Sequence, residues 1–541
     1  MIRASIIISG LLLTVVVADA QDTIRKKEVN ITSTFKPSLK EAAKININAA
    51  PPVADTTLPK LQYSIPNQNL SFLFQPGVLK PLALDVDSGG KWPTDNYVKL
   101  GYGNFKTPFA QAGFSFGDGK NKGVNIYAKH FSSKGKIELQ EMAQTNINLK
   151  AFFKTSNDLE WNAALGGMLE KYNKYGNQPK PFDFPEDSFK VKFKTFSGRI
   201  GLRNINLTQE GLGFAPEIKV DAFSDREGHS ESNSYISVPL YKPFGTTYAL
   251  DVKLEANISR YTPEEKDKVT NNWFAFSPTL HYRTSNLTLH AGLRPAWENK
   301  NFNLFPNLMA ELTLPNGKFS IQAGWTGYLK YAGYQQLAAM NPWIFEPLQT
   351  YVSSVVERFG GFKGSVGDHI NYGAKVAFNT IKNQPLFFND TMGGGSFIVL
   401  NEPEMNVLNI GGELGYTVGE KFSLITTLSM NQFTTDQNKE AWGLLPLEFN
   451  SKLRLQLSKD LYANVNLYAF DGPQSLSKQG SENLKGSADL SAGLEFKVLP
   501  RVKVWMQANN ILGQEYERWN QYPVYGLNFL AGVVLSFAQN K

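Results

Sequence analysis

The sequence predicts an all-β chain: a transmembrane antiparallel β-barrel of about 22 strands with a short irregular N-terminal periplasmic segment. Three observations carry this. Most of the chain alternates apolar and polar residues in segments of about ten, the period of a strand with one face in lipid and one in water. After the N-terminus no apolar run reaches the ~18 residues of a membrane helix, and mean hydropathy is −0.29, which excludes a helical bundle. Aromatic residues make up 13% against 19% charged, too much apolar material for a disordered chain.

Residues 1–20 read as a cleaved signal peptide: Arg3, an apolar core from Ile6 to Val17, then Ala18-Asp19-Ala20 before Gln21. The apolar core is too short to span as an anchor. Residues 21–94 form a proline-rich periplasmic or strap segment, interrupted at Pro37, Pro51, Pro52, Pro59, Pro66, Pro76 and Pro81. Within it, Ser38 to Ile45 suits a two-turn helix with Ser38 as cap and Glu41 at the capping-box position.

Residues 95–541 form the barrel. From Leu484 to Val498, Ala488, Leu490, Ala492, Leu494, Phe496 and Val498 share one face, opposite Lys485, Ser487, Asp489, Ser491, Glu495 and Lys497. The same division runs through Tyr248–Ile258, Leu461–Ala469 and Leu287–Leu293, where His290 falls on the polar face. Segments recur about every 20 residues, twice the spacing of a soluble sandwich, and Asp95 to Phe537 holds about 22 of them. In hydrocarbon an unpaired sheet edge costs several kcal/mol per group, so the sheet must close. A soluble propeller or solenoid would need a fixed-period motif, which the sequence lacks. Tyr97, Tyr102, Trp161, Trp273, Trp325, Tyr328, Trp442, Tyr462, Tyr468, Trp505, Trp519 and Tyr522 lie near segment ends, where aromatic girdles are expected.

The C-terminal stretch Val502 to Phe537 resembles the end of TonB-dependent receptor barrels. A penultimate strand runs into the corner Asn510-Ile511-Leu512, a loop carrying Tyr516 follows, and a last strand with Gly526, Phe529, Gly532 and Phe537 ends on an aromatic. Residues 441–473 look like the two strands before that end. The resemblance implies an outer-membrane location in a Gram-negative bacterium, with outer-membrane lipid and the barrel-assembly machinery as partners. In that family the terminal aromatic is read by the assembly machinery; here Ala538 to Lys541 follow Phe537. The family places a folded plug before the barrel, whereas this chain has only residues 21–94. It thereby looks like plugless, receptor-like proteins of the Bacteroidota, and the implied lumen filler is a partner protein or its own N-terminal segment.

Catalytic and metal chemistry find little material. There is no cysteine, and the five histidines form no ligand pair, so no metal and no cofactor is expected. His130 near Ser132, and His229 near Ser230 and Ser232, lack the context of a nucleophilic site, and the chain is read as a non-enzyme. Asp85 to Gly90 resembles a calcium loop, but Asn96 stands where the bidentate Glu should be, so a turn is expected. Gly101-Tyr102-Gly103 and Gly360 to Ser365 read as strand glycines relieving crowding, while Met392 to Gly395 and Gln335 to Pro347 read as loops. A net charge of +7 without a basic block gives no support to nucleic-acid binding. The lumen face mixes signs, as in Asp251/Lys253/Glu255 and Lys485/Asp489/Lys497, so no ionic selectivity is expected. The expected function is solute transport across the outer membrane or service as a barrel subunit of an outer-membrane complex. The rivals are a general porin or hydrophobic-solute channel, and a non-transport accessory barrel.

Overall fold

The computed structural model describes residues 95–538, apart from 177–184, 264–266, 316, 390–394, 420 and 478–479. The expected signal peptide (1–20), the proline-rich segment (21–94) with its Ser38 helix and Asp85 turn, and Met392 to Gly394 lie outside the described residues.

One sheet contains 24 strands, of which Gly213–Phe214 and Val269–Thr270 are two-residue spurs. The remaining 22 form a ring in which each pairs antiparallel with its sequence neighbours. The first strand, Asp95–Gly103, pairs with Thr107–Gly117 on one side and with the last strand, Asn528–Ala538, on the other. The expected closure is therefore present, and it leaves no free edge.

The closing seam shows how glycine makes a wall. Trp505, Gly532, Gly101 and Phe109 stand side by side on four successive strands. The indole of Trp505 lies over the glycines, donates to the Leu100 carbonyl at 3.1 Å and meets Phe109 edge-on at 5.3 Å. A Cβ on Gly101 would overlap that indole, and one on Gly532 would overlap the Leu100 carbonyl oxygen. Glycine is needed here because two backbones and a large ring share the space of ordinary side chains.

Alternation sorts the two faces. In Tyr248–Thr262, Leu250 and Ile258 are exposed on the outer face, while Glu255 and Asn257 are buried on the inner one. Leu100, Leu165, Ile200, Leu293, Leu312 and Phe378 extend the outer apolar band around the ring, as lipid contact requires. Inside, Glu255 accepts from Arg294 at 2.7 Å and pairs with Lys253 at 2.9 Å, and Lys363 pairs with Glu311 at 3.0 Å. The expected segments appear as Leu287–Glu298, Leu461–Phe470 and Ser487–Leu499. Leu484 and Lys485 fall in the loop before the last of these.

The two ends of the ring differ. On the side of Asp95 and Ala538 the connections are short turns, such as 367–369, 459–460 and 500–501, with 205–216 the longest. On the other side lie the long loops 174–189, 333–350, 436–446, 471–486 and 510–527. This is the asymmetry of outer-membrane barrels, with short periplasmic turns and longer loops at the opposite face.

The expected aromatic girdles are corrected in part. Tyr102, Trp161 and Trp325 are exposed on the outer face, joined by the ladder Phe274, Trp297 and Phe302. Trp273, Trp442, Tyr468, Trp505, Trp519 and Tyr522 are buried inside, while Tyr97, Tyr328 and Tyr462 are half-buried. Closeness to a strand end does not choose a face; strand parity and inward-folding loops do.

Candidate functional site

A ring of 22 strands spaced ~4.8 Å apart encloses a lumen roughly 40 Å across, too wide for wall side chains alone to fill. The long loops close it. Residues Tyr334–Met340 form an α-helix inside the lumen, where the sequence reads as a loop from Gln335 on. Leu, Ala, Gln and Met are good helix formers, but seven residues are too few to persist unaided. Docking supplies the rest. Glu231, from strand Ser230–Phe244, accepts the Tyr334 backbone N–H at 2.6 Å and the Tyr331 hydroxyl at 3.0 Å, taking the place of a local N-cap. Gly333 allows this approach, since a Cβ there would crowd the carboxylate. The Tyr334 hydroxyl donates to Asp225 at 3.0 Å, and the ring packs against Phe223 at 5.1 Å and Tyr261 at 5.7 Å.

The loop 510–527 comes from the opposite flank. Asn510 has a φ of 48°, a left-handed conformation that Asn tolerates, and its amide donates to Gln514 O at 2.8 Å and Tyr525 O at 2.9 Å. The side chain thus clasps both ends of the loop. Tyr516 donates to Asp489 at 3.1 Å, and the hairpin Glu517–Pro523 projects inward. Trp343, just beyond the helix, stacks on Tyr522 with centroids 3.9 Å apart and donates from Nε1 to Asn173 O. Ile344 forms an isolated parallel bridge with Phe397, in which Phe345 N donates to Phe397 O at 2.8 Å and Phe397 N to Trp343 O at 2.9 Å.

Two further loops are held by buried side chains of the wall. Glu402, fully buried, accepts from the backbone N–H groups of Asp436, Gln437 and Asn438 at 2.7, 2.7 and 2.9 Å. Asn389 accepts from Ser475 Oγ and Leu476 N of the 471–486 loop.

These contacts form one aromatic cluster that bridges the mouth. Phe193 and Phe223 belong to the sixth and seventh strands of the ring, Phe387 and Phe397 to the fifteenth and sixteenth. In a ring of 22 those positions are nearly opposite. Tyr334, Leu337, Trp519 and Tyr522 complete the same cluster between them.

Against the cluster lies a chamber of about 390 Å³. Tyr172, Tyr175, Trp343 and Trp519 supply aromatic surface; Glu170, Asp489, Asn510 and Arg518 supply polar groups. Burial pushes the Tyr334, Tyr516 and Tyr522 hydroxyls above the ordinary tyrosine range, so they remain donors at neutral pH. Burial draws Arg518 down to about 10, which leaves it charged.

The structure separates the six residues of the C-terminal signature. Asn510, Tyr516 and Gly526 line the chamber, Gly532 sits in the closing seam, and Phe529 and Phe537 are exposed on the outer face of the last strand. Sequence reasoning missed Glu231, Glu402, Tyr334 and Trp343 as lid residues. The helix-forming run from Gln335 to Met340 could have indicated the helix, but nothing local marks the two glutamates. Of the histidines considered, His130 Nδ1 pairs with Thr145 at 2.8 Å and His229 Nδ1 with Asp225 at 2.5 Å. Among the described residues no cluster of three or more His, Asp or Glu could hold a metal ion.

No family model matches the chain, and no curated protein does. Solved structures do. An FrpB iron transporter from Neisseria meningitidis (F5-1 variant) is similar with a TM-score of 0.64 at 10% identity, covering 82% of each chain. The siderophore receptor PirA from Acinetobacter baumannii gives 0.62 at 11%, covering 82% of this chain and 80% of that one. A mutant of the ferric enterobactin receptor (PfeA) from Pseudomonas aeruginosa gives 0.60 at 10%, with the same coverage. At such identities the likeness is one of fold.

Proposed function

We propose that this chain is an outer-membrane transport barrel of the TonB-dependent-receptor type, whose outer mouth is closed by its own loops and whose solute rests in the chamber beside them. The observation that carries this reading is the aromatic cluster bridging nearly opposite walls of the ring. An open general porin needs an unobstructed mouth, and this arrangement disfavours one. Similarity of fold to an iron transporter and a siderophore receptor supports transport as the class of function. In this reading residues 1–20 are the leader, 21–94 the periplasmic segment and 95–541 the barrel, which works without catalysis.

The chain has no cysteine, so one introduced pair tests the closure cleanly. Ile344→Cys with Phe397→Cys places two thiols at bridged positions, within the ~4.4–6.8 Å Cα separation of a disulfide. The oxidised variant should be silent in planar bilayers and inactive in solute uptake, and reduction should restore wild-type behaviour. Equal conductance or uptake in the oxidised and reduced forms would show that the loops do not gate the lumen. Silence of both forms and of the wild type, with no uptake by any, would favour an accessory subunit instead.

A further inference from the structure

Arg518, in the hairpin Glu517–Pro523, is 2% exposed and lines the chamber. Its Nη2 donates to Gly443 O at 2.9 Å, and its guanidinium lies over the Trp519 ring at 4.3 Å. Its Nε and Nη1 have no hydrogen-bond partner, and the Glu448 carboxylate acts on it electrostatically without a hydrogen bond to it among the described residues. The acids on neighbouring strands are engaged elsewhere: Glu448 accepts from Tyr468 at 3.2 Å, and Asp489 from Tyr516 and Ser491, both at 3.1 Å. A buried cation with two unspent donors is destabilising unless a counter-charge meets it. A second unspent group stands in the same wall, for Asn510 Oδ1 is buried without a donor.

We propose that Arg518 and the chamber wall beside it form a binding subsite for an oxyanion, a carboxylate or a phosphate, borne by a small ligand that also offers an N–H or O–H to Asn510. This rests on reading the chamber as the ligand site. A guanidinium suits the task because it stays charged when buried and makes charge-assisted hydrogen bonds to oxyanions. Stacking on Trp519 fixes its plane, so little further ordering is needed on binding.

The test uses the full mature chain in detergent, titrated separately with citrate and with inorganic phosphate, and read by calorimetry and thermal unfolding. Wild type should bind and be stabilised by at least one probe, and which one responds separates carboxylate from phosphate recognition. Arg518→Met should weaken that response at least ~10-fold, the loss expected for a charge-assisted hydrogen bond. A variant that unfolds lower and keeps the wild-type anion response would make Arg518 a structural brace through Gly443 and overturn the proposal. If the variant does not assemble, the wild type alone decides, since no heat and no stabilisation with either probe also overturns it. Anion binding without solute uptake leaves the subsite standing and sinks the transport reading. Uptake with an unchanged anion response in Arg518→Met does the reverse.

Discussion

The barrel wall and the lid that closes it are built on different principles. The wall is a backbone object: neighbouring strands pair along nearly their whole length, and any residue of the right polarity serves at most positions. The lid is a side-chain object, in which Glu231, Glu402, Asn389 and Asn510 each hold a loop through two or more hydrogen bonds. Damage to the wall should therefore be spread over the sheet or, at the seam, cost the whole fold. Damage to an anchor should free one loop and leave the barrel intact.

The largest effect is expected at the seam. Gly532→Val forces a branched side chain against the Leu100 carbonyl and the Gly101 backbone, and should prevent closure. Heat-modifiable migration on gels, which reports a closed barrel, should be lost. A folded, heat-modifiable Gly532→Val barrel would show that the seam tolerates bulk as the rest of the wall does.

A smaller and local effect is expected at the lid. Glu231→Ala leaves the Tyr334 N–H without an acceptor and the Tyr331 hydroxyl with only Thr350 Oγ1 at 3.3 Å, at about 1–3 kcal/mol for the buried group left unpaired. Hydrogen exchange across 333–350 should accelerate by ten-fold or more, with the barrel strands unchanged. Acceleration in the wall as well would mean that lid and wall unfold together and that the distinction fails. The smallest change is Tyr516→Phe, which removes one hydroxyl from Asp489 while Ser491 still donates to it. It should cost about 1 kcal/mol, read as faster exchange in 510–527 alone.

Wall and lid also differed in how far they could be read from sequence. Strand alternation, the number of strands and the Asn510 corner are local properties, and the strands at Tyr248 and Leu461 begin where the pattern places them. The lid was mostly hidden. Glu231 and Tyr334 are 103 residues apart, and Arg518 and Gly443 are 75 apart, so no window of sequence contains either contact. Tryptophans divided in the same way: Trp161 and Trp325 face lipid, while Trp442 and Trp519 turn inward.

By itself the sequence determined that the chain is a closed β-barrel with an apolar exterior, because alternation is a period-two property of neighbouring residues and lipid forbids an open edge. Only the tertiary structure decided which glycines carry the seam, which aromatics close the mouth, and that Arg518 is buried with two donors unspent among the described residues. Those depend on residues brought together by the closing of the ring, and side-chain contacts across a lumen have no period in sequence to announce them.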